Sequence, residues 1–306
     1  MTSARRPLPT DIVALVSFDG RVYPNEAKPL DRLGAAPDTA HALETAIEQW
    51  FSFATGKHTW VSVHGATIRG LISARQRSKR SAWEAEVLIN TTDDESVTES
   101  LLTRMLSGVG KLGAERAFLR VETDSPVKEA ARTAGFFAYC DETLYRRPPL
   151  APPPEVDLPL RGKSKADMMG IYQLYNSVAP ANVRAIEGAT FREWQAALEK
   201  WGGRPTDLLL EEDGIISGWV RVMPGDVSRI TALSSAHYDD LLTAGLSVLG
   251  GRETFCLAPD HAHGLPSALD RLGFEPIAAY TVLAKRLART VEELAPEPTK
   301  KAIPVS

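Results

Sequence analysis

Ala134-Gly135-Phe136, followed by a strand-like run over 137–146, and Leu272-Gly273-Phe274, followed by another over 277–286, are the stretches that decide the fold. In each, a helical pattern stops at a glycine, a phenylalanine comes next, and an apolar-rich strand closes the segment. Glycine supplies the left-handed backbone a helix exit needs, and the following apolar residue packs back on the helix. One such exit is common. Two in matched surroundings, closing with Leu144-Tyr145-Arg146-Arg147 and Leu283-Ala284-Lys285-Arg286, point to one α/β unit written twice.

Working outward from the first exit, the pattern predicts a helix over 127–134 and a short buried strand over 117–121 before it. A helix over 99–112 carries Leu102, Met105, Leu106 and Val109 on one stripe. Strands are predicted over 83–89 and, around Gly65 and Gly70, within 60–74. The unit opens with the apolar run Ile12-Val13-Ala14-Leu15-Val16 and a helix from Pro37-Asp38-Thr39 with Ala42, Ala46, Trp50 and Phe53 on one face. The second copy repeats this order: a strand over 157–160, helices over 165–178 and 190–200 with Thr190 as N-cap, and a hairpin of 208–211 with 216–223 turning at Asp213-Gly214. A strand over 229–233, a helix over 239–249, a strand over 254–258, a helix over 265–272 and the closing strand complete it.

Between the copies lies Arg146-Arg147-Pro148-Pro149-Leu150-Ala151-Pro152-Pro153-Pro154-Glu155, whose prolines favour an extended spacer. The expected organisation is therefore a first domain over 1–147, a spacer over 148–155, a second domain over 156–289 and a frayed tail over 290–306. The length of 306 residues suits two cores, and 43% hydrophobic with 24% charged residues is too apolar for a disordered chain. A net charge of −4 gives no global reason to expect DNA or a membrane as partner. No apolar run is long enough for a bilayer span, and the N-terminal stretch has no secretory h-region. The two cysteines, Cys140 and Cys256, read as buried thiols in a reducing cytoplasm.

The order strand, helices, three-strand meander, helix, strand, helix ending in Gly-Phe and final strand resembles the GNAT superfamily of acyl-CoA N-acyltransferases, in each half. The residues that carry the resemblance are Phe118-Leu119-Arg120-Val121, Ala134-Gly135-Phe136 and Glu142-Thr143-Leu144-Tyr145-Arg146, then Leu269, Leu272-Gly273-Phe274 and Tyr280. It implies two GNAT-like domains, each a mixed twisted sheet flanked by helices, packed together. It also implies acetyl-CoA or another acyl-CoA as cofactor, held by an Arg-x-x-Gly-x-Gly/Ala loop whose backbone N–H groups face the pyrophosphate.

That loop is altered here. The arginine position holds Asp93 and the glycine positions Ser96 and Thr98, within the acidic run Asp93-Asp94-Glu95. A carboxylate ~4 Å from a phosphate charge repels it by about 4 kcal/mol. These acids are instead suited to an ordinary helix N-terminus. In the second copy the same positions hold Leu233, Ala236 and Tyr238. The general-acid tyrosine expected four residues before the exit glycine is replaced by Ala131 and Leu269.

Tyr145 is the remaining candidate acid, with Tyr139 beside it. Glu86, with Glu84, is the candidate base, although both glutamates also fit the polar face of a strand whose Trp83, Ala85, Val87 and Ile89 point inward. A non-standard cofactor cradle would use Ile89, Asn90, Ser96 and Thr98. Arg75-Gln76-Arg77-Ser78-Lys79-Arg80 reads as a solvated hairpin tip, or as a contact for an anionic ligand such as tRNA. His261-Ala262-His263 after Asp260 lacks the four ligands of a structural zinc site and reads as a polar loop, so no metal is expected. Trp194, Trp201 and Trp219 read as packing anchors. Three functions stay open: a GNAT-like protein with weakened or lost acyl-CoA catalysis that binds a small-molecule ligand or a partner, which the altered loop favours; an active acyl-CoA-dependent N-acyltransferase on a small amine; and an aminoacyl-tRNA-dependent transferase.

Overall fold

The computed structural model of the chain describes residues 3–8, 23–34, 57–65, 67–92, 94–151 and 158–288. The expected strand over 12–16, the helix from Asp38 and the tail lie outside the described residues, as do Asp93, the 152–155 part of the spacer and residues 156 and 157. The first half contains β1 (Ser3–Arg5), β2 (Lys57–His64), β3 (Thr67–Gln76), β4 (Ala82–Asn90), α1 (Glu95–Gly110), β5 (Arg116–Glu122), α2 (Val127–Thr133) and β6 (Phe137–Arg147). The second contains β7 (Leu160–Gly162), α3 (Met168–Val178), α4 (Ala181–Glu187), α5 (Phe191–Ala197), β8 (Thr206–Glu212), β9 (Ile215–Met223), β10 (Ser228–Ser234), α6 (Tyr238–Leu249), β11 (Thr254–Pro259), α7 (Leu265–Arg271) and β12 (Glu275–Arg286). Helix α4 has no counterpart in the sequence reading. It is a short helix of about two turns between Pro180 and Gly188, held by tertiary contacts through buried Val183 and Ile186 rather than by its own periodicity.

The duplication is visible in matched details. Gly135 (φ 87°) and Gly273 (φ 80°) both take the left-handed conformation, and the next amides close back onto the helices, Phe136 N–H to Ala131 O at 2.9 Å and Phe274 N–H to Leu269 O at 3.0 Å. Each phenylalanine is buried in the core of its own half. The hairpin β8–β9 turns at Asp213 (φ 52°) and Gly214 (φ 78°), the two positive φ values a type I′ turn requires. Bulges recur too: β2–β3 slips one residue beside Gly70, and β8–β9 slips one residue beside Gly218. A Cβ on Gly70 would sit 2.9 Å from Leu101 Cδ1, and one on Gly218 2.8 Å from Leu241 Cδ1, so both glycines admit the helix that follows.

All twelve described strands form one sheet, in the order β1-β2-β3-β4-β5-β12-β6-β11-β10-β9-β8-β7. The closing strands have changed places. β12, from the second half, pairs antiparallel with β5 of the first, and β6, from the first half, pairs antiparallel with β11 of the second; β6 and β12 pair with each other at the centre. Leu283 of β12 is therefore buried with Leu119, Val121 and Phe136 in the first core, while Tyr145 of β6 packs against the second. Helices α4 and α5 of the second half also lie on the first half's strands, with Ile186, Ala196 and Ala197 against Phe118 and Ala82. Arg116 on β5 donates to the carbonyls of Ile186, Glu187 and Glu193 at 2.6–3.0 Å.

Because each core is completed by the other half's last strand, neither half can lose its packing alone. Urea unfolding is expected to give one transition, coincident by tryptophan fluorescence and far-UV circular dichroism. Two separated transitions would contradict the shared cores.

Candidate functional site

In each half the two parallel strands that precede the closing strand separate after a short contact. β4 and β5 pair only at Ala82–Arg116, Trp83–Ala117 and Glu84–Phe118, then part. β10 and β11 pair only at Ser228–Thr254, Arg229–Phe255 and Ile230–Cys256. The two gaps are treated differently by the chain.

The β4/β5 gap is filled by residues 25–28. Asn25 Nδ2 donates to Glu86 O at 3.1 Å, and Asn25 Oδ1 accepts from Leu88 N–H at 2.9 Å. Glu26 N–H donates to Leu88 O, and Lys28 N–H to Arg120 O, both at 2.9 Å. Backbone groups that splaying would leave without partners, a costly state in the interior, are thus satisfied from within the chain. The N-terminus of α1 beside it is also closed. Asp94 is the N-cap and accepts from Ser96 N–H at 3.0 Å; the Ser96 side chain first, and then this amide, lower its carboxyl pKa. Asn90 Nδ2 donates to Asp94 O at 3.0 Å and to Thr98 Oγ1 at 3.1 Å, and Ile89 is buried among Val61, Ile68, Leu71 and Val87. The four residues expected to cradle a cofactor do come together, in a turn whose polar groups bond to one another.

The β10/β11 gap faces a cavity of about 210 Å³ between the halves. Thr231, Leu257 and Pro259 flank it on the strands. Trp194, Trp201 and Trp219 form one wall, and Glu142, Glu187, Glu199, Arg120 and Arg229 line it from the first half, from the α4 and α5 region and from β10. Behind the cavity runs a buried chain of ion pairs. Arg75 Nε meets Glu84 at 2.7 Å and its NH1 meets Asp31 at 2.7 Å; Arg77 Nε meets Glu84 at 2.9 Å; Arg120 meets Glu142 at 2.6 Å and Glu199 at 2.8 Å. Arg75 and Arg77 are only 6% and 5% exposed. The expected solvated basic tip is therefore corrected: β3 carries Arg75 inward opposite Glu84, its register partner on β4, and only Ser78, Lys79 and Arg80 remain exposed at the turn. Glu84 and Glu86 likewise lie inside, Glu84 between Arg75 and Arg77, and Glu86 beneath Arg32 and Lys57 of its own half.

Burial alone would raise the Glu199 carboxyl, but Arg120 and Arg77 outweigh it and bring it down to about 2. Glu142 shares Arg120 with Glu199 and lacks the second arginine, so burial prevails and its pKa moves up. Glu187 is held by two phenols, Tyr139 OH at 3.1 Å and Tyr175 OH at 2.9 Å, both kept protonated by burial and by that carboxylate. Among the described residues no cation lies within ion-pair distance of Glu187.

Tyr145 and Glu86 do not meet. Tyr145 lies on β6 with its ring against the second core, on the face opposite Leu144, and three strand spacings, about 14 Å, separate β6 from β4. Glu86 pairs with Lys57 at 2.9 Å, Arg75 at 3.3 Å and Arg32 at 3.5 Å. Trp194 is a packing anchor, buried against Tyr172 and Tyr175 with one side on the cavity; Trp201 and Trp219 line the cavity with the Arg221 guanidinium over their rings at 5.7 and 4.9 Å. The sequence reading missed Arg120, Glu142, Glu187 and Glu199. The available signal was a charged residue inside an apolar strand, Phe118-Leu119-Arg120-Val121, and it was read there as scaffold.

A GCN5-related N-acetyltransferase from Sphaerobacter thermophilus is 15% identical, with 93% of this chain and 95% of that one superposed at a TM-score of 0.55. A GCN5-related N-acetyltransferase from Anabaena variabilis is 10% identical over 94% of this chain and 73% of that one, at 0.50. No protein-family model matches the sequence, and no curated protein matches it. The chain has the GNAT fold, and its architecture is mixed α/β with two GNAT-like halves. Among the described residues no helix is long and apolar enough to cross a membrane.

Removing a carboxylate from the ion-pair chain leaves buried arginines short of partners. Glu199→Gln is expected to lower stability at pH 7 by about 3 kcal/mol. The folded-state pKa of Glu199 lies below its ordinary 4.5, so its contribution is present above 4.5 and fades as pH falls towards about 2. Urea titrations of both proteins should therefore converge across that window, and a constant difference would contradict the ionised Glu199.

Proposed function

We propose that this is a GNAT-fold ligand-binding protein in which acyl-CoA-dependent catalysis has been lost. The observation that carries the reading is the occupation of the β4/β5 gap by residues 25–28, which bond to the strand edges a cofactor would need. The self-capped start of α1 supports it, as does α6, where Ser234 Oγ accepts from Ala236 and His237 N–H groups and Asp239 and Asp240 occupy the first turn. Acids at that position disfavour a phosphate. The ligand site is the cavity between the halves. Glu187, with two phenolic donors and no cation paired with it among the described residues, is completed by an ammonium group, so a small amine-bearing molecule is the ligand chemistry that fits.

We read residues 1–147 and 156–289 as the two duplicated units, exchanging closing strands across the 148–155 spacer, with 290–306 as a tail. The two free, buried cysteines fit a cytoplasmic protein. Burial of Arg75 and Arg77 removes most of the support for tRNA as a partner, since only Lys79 and Arg80 of the basic run are left exposed.

Calorimetric titration with acetyl-CoA and longer acyl-CoAs is expected to give only heats of dilution, and micromolar binding would overturn the reading. A second reading, an acyl-CoA-dependent N-acyltransferase acting on a small amine, is favoured by the open β10/β11 gap alone. It expects acyl-CoA binding that Thr231→Trp abolishes and Ser96→Glu leaves intact. For the amine site, a thermal-shift screen of small amines should return at least one stabiliser whose effect Glu187→Gln removes.

A further inference from the structure

Cys140 on β6, and Asp260 and His261 just past the end of β11, come from different halves of the chain. The β6–β11 ladder ends at Glu142–Pro259, and Asp260 N–H then donates to Asp141 O at 2.9 Å, which carries Asp260 and His261 back over Cys140. Cys140 Sγ lies 3.8 Å from His261 Nδ1 and 3.6 Å from Asp260 Oδ1, and those two atoms are 3.4 Å apart. A tetrahedral zinc ion, with bonds of about 2.3 Å to sulfur, 2.05 Å to imidazole nitrogen and 2.0 Å to carboxylate oxygen, spaces its ligand atoms by about 3.6 Å (S to N), 3.5 Å (S to O) and 3.3 Å (N to O). Each observed edge is within about 0.3 Å of its ideal value, so an ion would be accommodated by small shifts of the partly exposed Asp260 and His261 side chains. Direct bonding accounts for the sulfur edges, where the thiol is within reach of Asp141 O, Asp260 and His261, but less well for the third. At 3.4 Å the His–Asp contact is long for a charge-assisted hydrogen bond.

We propose that Cys140, Asp260 and His261 form a binding site for a divalent transition metal of the zinc class. A thiolate, an imidazole and a carboxylate are the donor set such an ion takes, and magnesium or calcium would be disfavoured by the sulfur. Three protein ligands leave the fourth position for water. Asp260, with 60% of its side chain exposed, gives the ion a route in, while Cys140 and His261 lie deeper. Burial, with Glu142, Glu187 and Asp260 nearby, keeps the free thiol protonated, so the incoming ion displaces that proton to solvent as the metal–sulfur bond forms. His263 is not part of the cluster. The sequence pair His261-Ala262-His263 is thus divided, and the third ligand comes from a residue 120 positions away in the chain. A bound ion would tie the first residues of the exchanged strand β6 to the loop after β11.

The test uses the full chain, stripped with a chelator and titrated with Co²⁺ and then Zn²⁺. One equivalent of Co²⁺ is expected to give a thiolate-to-cobalt charge-transfer band and the visible bands of tetrahedral cobalt, both abolished by one equivalent of Zn²⁺. Cys140→Ser should remove the charge-transfer band, and His261→Ala and Asp260→Asn should each weaken binding at least tenfold, while His263→Ala should bind as the parent does. Circular dichroism identifies any variant that fails to fold, and the surface-facing Asp260→Asn variant keeps the test decisive in that case. The site is rejected if the parent takes up no stoichiometric metal, if the bands persist in Cys140→Ser, or if His263→Ala alone loses them. None of these readouts depends on whether acyl-CoA or an amine binds in the cavity.

Discussion

β12 lies between β5 and β6, and most of the molecule's arrangement follows from that placement. A closing strand normally completes the sheet of its own unit. Here each is given to the other unit, so the two sheets become one and the two cores share residues such as Leu283 and Tyr145. The exchange brings the α4–α5 region of the second half over the first half's strands and the 23–34 segment of the first half over β10 and β11. Arg229 makes the second contact explicit, donating to the carbonyls of Asp31 and Leu33 at 2.7–3.1 Å.

The same arrangement explains why so much charge is buried. Arg77 and Arg120 stand on strand faces that would be wet in an isolated unit, and the second half covers them through Ala197 and Glu199, whereas Arg75 is covered by Asp31 of its own half. Charges removed from water must be paired, and here they are paired in a chain running from Asp31 to Glu142. Arg120 is the most connected member, bonding Glu142, Glu199 and the Lys28 carbonyl, and so joins three separate segments. Such a network makes a small net contribution to stability, yet it tolerates little rearrangement, which suits the wall of a shaped cavity.

The two gaps show how one scaffold can meet the same backbone problem in two ways. Splayed parallel strands leave unpaired edges in each half. In the first, Asn25 uses a side-chain amide to imitate a strand's donor and acceptor, and the edge is satisfied. In the second, the edge borders a cavity whose lining comes from both copies. Duplication followed by exchange thus leaves one enclosed gap and one open one, an asymmetry that a symmetric repeat would not contain.

Much of the fold was legible in the sequence because its marks are local. The Gly-Phe exits, the Asp213-Gly214 turn and the stripe on α1 each rest on backbone conformation or periodicity within a few residues. The altered loop before α1 was legible for the same reason, since Asp94 caps a helix wherever it occurs. Strand partnership is not local. Leu283-Ala284-Lys285-Arg286 and Leu144-Tyr145-Arg146-Arg147 have the same character, so nothing in either run says which β5-like strand it will join. Only the tertiary structure decided that. With it came the burial of Arg75 and Arg77, the cavity, and the meeting of Cys140 with Asp260 and His261, because pairing, covering and enclosure depend on residues far apart in the chain.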